Sequence, residues 1–447
     1  MPGLNDNQLS VIRALIDTSP DSAIRSLDAA LQSVHGDGPM ATIRDMVSAE
    51  AGERRARAMT FGPLIKLCPR ATPVVEFDRF PAKIPAMLWC ALKAEVELKV
   101  IAGMAASAGW RDEEADSTAF DDLCAVAAAG LRSPGETAFA APFQVLEEAK
   151  TGSAERLALY LDLVPLARRT LNFVPDWLGR MTEERAASVR IAFRDAGEIG
   201  PDGGGPRLLD LIQAQMEEPW QILRIVSAVM DRPSDTYIAG SELSHIGQRI
   251  LDAIDRRLDD LRAFEPHKGA PAGVAAAEAA HIAVLAICEF DQSLELKRDG
   301  PWGSQIARQK RDLAQSVEGR FAKTDEAVGA ALPLKSVRYA GRMVRGMPQL
   351  TSDPDPRMVT KAEGFLAFLD KSRNSAPTGG YASLRNKIVE KLDARLDAYS
   401  EDLIETLRTD EAALHERARL YLELTATFMG FVRDEKAAQI VRRRAAA

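Results

Sequence analysis

A chain of 447 residues exceeds what one hydrophobic core usually supports, so two domains are expected, each burying a core of its own. Apolar residues at 46% and charged residues at 27% are those of an ordinary soluble globular protein and exclude a chain disordered throughout. A formal net charge of -8 with only 6% aromatics excludes a general nucleic-acid binder, which needs cationic excess and stacking rings.

In chain order, residues 1–10 show neither a basic nor an apolar run, so no secretory leader is expected there. Ser19-Pro20 opens a helix predicted over 21–34, because proline is tolerated in a first helical turn. Residues 61–85 contain Pro63, Pro69, Pro73, Pro81 and Pro85; they predict an extended crossing near residues 70–80, with a short strand at 74–77. Pro165 should kink or split the helix at 155–171. The run Pro201-Asp202-Gly203-Gly204-Gly205-Pro206 has the composition of a linker and sets the expected domains at 1–200 and 206–447.

Downstream, Glu218-Pro219 and Gly300-Pro301 open helices over 220–230 and 302–321. Residues 241–264 keep Leu243, Ile246, Ile250, Ile254, Leu258 and Leu261 at three-and-four spacing, and 381–407 repeat that pattern. The most apolar run, 273–290, is broken by Glu278 and His281 and is too short and polar to predict a membrane span. The last predicted helix, 411–442, has a wide apolar face through Tyr421, Phe428 and Val432. That face suits either packing within its own domain or pairing with a second copy as a homodimer. The tail at 442–444 is expected to be disordered. A period of 3.6 almost everywhere predicts an all-α protein of irregular multi-helix bundles. The Pro-Trp pairs at 219–220 and 301–302 have flanks too different for a solenoid repeat.

One stretch departs from the acidic background. Residues 327–352 contain no Asp or Glu and carry Lys335, Arg338, Arg342 and Arg345. As a helix, the segment places these four cations on one stripe opposite Val337, Ala340, Met343, Val344 and Met347. The stripe is the candidate binding site, for an acidic partner surface or an anionic group. An internal partner is also present: Glu390, Asp393, Asp397 and Glu401 form an acidic ridge on the 381–407 helix.

Other chemistry is sparse. Cys68, Cys90, Cys124 and Cys288 lie far apart, the last three in apolar helical patterns, so no disulfide framework is expected and the compartment should be the cytoplasm. The abundance of Ala and Arg points to a GC-rich bacterial source. His35, His245, His267, His281 and His415 have neither one-turn spacing nor a nearby cysteine, so no zinc site is expected. Glycines at 202–205 and 378–380 match no phosphate-binding loop and are expected as turns.

Asp112/Asp116, Asp255/Asp259 and Asp393/Asp397 stand four apart. That spacing resembles the magnesium-holding Asp pairs of helical isoprenoid synthases of the squalene and phytoene class, and the resemblance ends with it. The Asp255 helix alternates its acids with Arg249, Arg256 and Arg262 and predicts an ion-paired surface. With no site for metal, cofactor, nucleotide or nucleophile, the expected function is a non-enzymatic helical adaptor for an acidic protein partner. The alternative is a helical enzyme or lipid-pocket protein holding an anionic, diphosphate-like ligand on the basic stripe.

Overall fold

The computed structural model describes residues 5–33, 38–69, 75, 77, 79–96, 118–230, 233–338, 344–409 and 412–446. Among them are 19 α-helices and one two-stranded antiparallel sheet, so the fold is all-α with irregular packing of many helices. The expected strand at 74–77 and the pair Asp112/Asp116 lie wholly or largely outside the described residues. The chain divides into two compact units, Met1–Asp231 and Arg232–Ala447.

The first unit holds α1 (Asp6–Thr18), α2 (Asp21–Gln32), α3 (Pro39–Ile65), α4 (Ile84–Glu95), α5 (Thr118–Arg132), α6 (Ala140–Ala149), α7 (Ser153–Leu171), α8 (Val174–Leu178), α9 (Glu183–Ile199), α10 (Gly204–Gln215) and α11 (Ile222–Val229). Helix α7 is its axis. It packs against α3, α5, α9 and α10 and buries Leu157, Tyr160, Leu161, Leu163, Val164 and Ala167. It also runs unbroken through Pro165, contrary to the expected split. Proline inside a helix costs about 3 kcal/mol, and burial of several large side chains at about 1.5–3 kcal/mol each outweighs that. Arg54 of α3 closes the end of α1: with a side chain only 10% exposed, it donates to the Ser19 carbonyl at 2.7 Å, the Ile16 carbonyl at 2.9 Å, Asp21 at 2.8 Å and Glu50 at 2.7 Å.

The glycine-rich run at 200–206 lies inside this unit as a packed corner between α9 and α10. Gly203 takes a positive φ of 100°, and a Cβ on Gly204 would collide with the Ala196 carbonyl oxygen. These glycines serve a left-handed turn and close helix approach. The division between units therefore falls at Asp231/Arg232 and not at residues 200–206.

The second unit holds α12 (Asp235–Ala239), α13 (Ser244–Arg262), α14 (Ala270–Ser293), α15 (Gly303–Ala331), β1 (Leu334–Arg338), β2 (Val344–Pro348), α16 (Pro356–Lys371), α17 (Ala382–Leu407), α18 (Ala412–Val432) and α19 (Glu435–Ala446). Helices α14 and α16 cross closely, where Gly273 meets the Gly364 carbonyl. Around α16, Phe264, Phe321, Phe365, Phe368 and Tyr381 form an aromatic cluster with ring centroids 5.5–5.9 Å apart. Helix α14 is long and apolar enough by composition to cross a membrane, but half of its most apolar window is buried inside the unit.

The predicted 411–442 helix is two helices that turn at Arg433-Asp434. Much of its apolar face, including Tyr421, Phe428, Met429 and Val432, is covered within the unit, where α18 packs on α17 and α19. The basic tail is helical and paired: Arg442 meets Glu423 at 2.8 Å and Glu435 at 2.9 Å, and Arg444 meets Glu401 at 3.4 Å.

Candidate functional site: a cationic hairpin

The described parts of the segment carrying the cations, Leu334–Arg338 and Val344–Pro348, form a two-stranded antiparallel ribbon and not a helix. Helix α15 stops because Leu332 precedes Pro333: the proline ring disfavours helical torsions at the residue before it, and Leu332 takes φ −118°, ψ 74°. The chain then extends into β1, with Leu334 paired to Pro348, Lys335 to Met347, Ser336 to Gly346, Val337 to Arg345 and Arg338 to Val344. Beyond the ladder, the Gln349 N–H donates to the Pro333 carbonyl at 2.9 Å.

A period of two replaces the helical stripe. Lys335 and Arg345 share one face of the ladder with Val337 and Met347, while Arg338 holds a position of the other parity. Arg342 lies outside the described residues. The structure thus brings Lys335 and Arg345 onto one face and does not unite the four cations.

The ribbon rests on α17. Tyr399 Oη donates to the Pro333 carbonyl at 3.4 Å, and Arg345 forms an ion pair with Asp402. Asp402 has a side chain only 6% exposed, and burial raises its pKa above the usual carboxylate range against the opposing pull of Arg345. At the base, Arg417 of α18 meets Asp353 at 3.1 Å and donates to the Leu350 carbonyl at 3.4 Å. Leu334 (48% exposed), Lys335 and Ser336 of β1 face solvent, as does the rest of Arg345.

Among the described residues, the acidic ridge of α17 makes no ion pair with the ribbon. Asp393 and Asp397 both pair with Arg433 at the end of α18, and Glu401 pairs with Arg444, so the C-terminal arginines take the place expected of the basic stripe. Flanking them, Lys391 and Arg395 reach across to Asp325 of α15 at 2.9 and 2.6 Å. The internal partner of the stripe is Asp402, one residue past the ridge, and it engages Arg345 alone among the described cations of the hairpin.

Asp255 is ion-paired with Arg308 of α15 at 3.0 Å and Asp259 with Arg262 at 2.6 Å. Among the described residues, no group of three or more His, Cys, Asp or Glu side chains stands close enough to hold a metal ion. The thiols of Cys68 and Cys124 are buried, and burial pushes both up to about 12, so neither is a thiolate nucleophile near neutral pH. Cys90 is exposed, although its surroundings in sequence are apolar. Compared with known protein families, curated proteins and solved structures, the chain matches none.

Proposed function

We propose that the protein is a non-catalytic helical adaptor that receives an extended acidic segment of a partner protein along the ribbon formed by residues 334–338 and 344–348. The observation that carries this reading is an exposed two-stranded ribbon whose sequence is cationic and free of carboxylates. Such a ribbon has an open edge on each strand, with backbone donors and acceptors able to pair with an added strand. Strand β2 packs on α17, so the edge of β1, flanked by Lys335, is the accessible one. Charge on that ribbon favours an acidic strand and disfavours a second copy of itself. Four free cysteines accord with a reducing compartment, the cytoplasm.

A synthetic peptide of alternating Asp and Val tests the reading by fluorescence anisotropy. It should bind the full chain, weaken as salt rises, and lose about tenfold in affinity on the triple change Lys335→Glu, Arg338→Glu, Arg342→Glu. Arg345 is spared because it holds Asp402. Proline at alternate peptide positions should remove binding if strand pairing carries it. Equal binding of a Lys-Val peptide, or an unaffected triple variant, refutes the assignment. Competition by inorganic pyrophosphate with no effect of peptide proline points instead to a small anionic ligand.

A further inference from the structure

The first unit carries a cavity of about 430 Å³ between the end of α7, the short helix α8 and the end of α10. Its walls are Leu171, Val174, Leu178, Ile212 and Met216, and its polar edge is formed by Glu217 and Glu218 with two glutamines. No lysine or arginine lines it. That volume lies within the range of pockets that take small organic molecules, which are mostly apolar with a few polar groups to orient the guest.

Three features make the mouth negative. Glu217 is exposed and has neither an ion pair nor a hydrogen bond among the described residues. Glu218 accepts a hydrogen bond from the neutral Gln221 amide, which leaves its charge uncompensated. Helix α10 ends at Gln215 beside them, and a helix C-terminus adds a partial negative charge. Most carboxylates with a described partner in this unit meet an arginine, as Asp21, Glu50, Asp121 and Asp162 do. Phe173, next in sequence to the lining residue Val174, is 53% exposed and stacks on Trp177.

We infer that this cavity binds an amphiphilic cation, an organic ammonium whose hydrocarbon part enters among Leu171, Leu178, Ile212 and Met216 while its charge sits between Glu217 and Glu218. An anion of the same shape would bring like charge to the mouth, and a neutral alcohol would leave the carboxylates without a counter-ion. The site lies in the first unit and is independent of the hairpin.

Calorimetric titration of the full chain with n-octylamine, octanol and octanoate, each below its aggregation limit, tests this. Octylamine should bind one to one, octanol about tenfold more weakly, and octanoate not measurably. Affinity should rise roughly fourfold per methylene from butylamine to octylamine as hydrocarbon leaves water. The pair Glu217→Gln, Glu218→Gln should cut octylamine affinity about five- to tenfold and bring it near octanol, with the melting temperature of the free protein unchanged. Met216→Trp should block octylamine and octanol by filling the cavity, and an intact melt shows that the fold is kept. Octanoate binding as well as octylamine, or octylamine binding unchanged in both variants, overturns the proposal. So does failure of octylamine to bind where a Lys-Leu peptide does, which would make the groove a protein-docking surface.

Discussion

Arg345 and Asp402 form an unequal pair: the arginine is more than half exposed, while the aspartate is almost entirely enclosed against α17. Desolvation outweighs the attraction of Arg345, so the folded-state pKa of Asp402 lies above its ordinary value of about 3.9. A raised carboxylate pKa means the folded state holds that proton more tightly than the unfolded one. Its contribution is present below the ordinary pKa and is lost as pH rises through the raised value. Asp402→Asn keeps an oxygen to accept from Arg345 and removes the buried charge. We therefore expect the melting temperature of Asp402→Asn to gain on that of the unaltered protein as pH rises from 3.5 to 7. The opposite trend would show that the ion pair more than repays its burial. Arg345→Ala leaves the charge enclosed and unpaired and should cost about 1–3 kcal/mol at pH 7.

At the scale of elements, the hairpin shows how a helical period can mislead. Lys335, Arg338, Arg342 and Arg345 fit one helical stripe, yet Pro333 and Pro348 bracket them, and Val337, Tyr339 and Val344 favour strand while Gly341 and Gly346 disfavour helix. Those residues were the available signal, and Pro333 decides the outcome by ending α15. Two glycines in helices make a further point testable by one substitution. At Gly273 in α14, a Cβ would stand 2.9 Å from the Phe368 amide nitrogen and closer still to the Gly364 carbonyl, both of them backbone. Gly273→Ala should therefore lower stability by about 1–3 kcal/mol through overpacking, despite the gain in helix propensity. At Gly319 in α15 an added Cβ meets nothing within 4 Å. There the same substitution should raise stability by about 0.5–1 kcal/mol. Thermal melts of the two variants should shift in opposite directions; a common sign would mean that the α14–α16 crossing yields to a methyl group.

For the molecule as a whole, the division at Asp231/Arg232 leaves α10 and α11 in the first unit, where Leu208, Leu209, Leu211 and Ile212 are buried and α10 packs on α7 and α9. Fragments 1–231 and 232–447 should each show helical circular dichroism and a cooperative melt, whereas 1–200 should melt broadly, having lost that cover. A fragment 1–200 as cooperative as 1–231 would restore the boundary to the glycine-rich run. By itself the sequence determined the fold class and the positions of several helices, because a 3.6-residue alternation of Leu, Ile and Ala against charge is a local property, as in α13 and α17. It also determined where proline opens helices, at Pro20, Pro219 and Pro301. Only the tertiary structure decided that α7 continues through Pro165, that Gly203 and Gly204 make a packed corner, and that Arg433 and not the basic segment meets Asp393 and Asp397. Each of those outcomes is set by neighbours far apart in the chain. The same holds for the Phe264 cluster and for the cavity edged by Glu217, whose walls come from α7, α8 and α10. Burial and ion pairing are properties of such assembled surroundings, and local residue patterns do not reveal which surfaces meet.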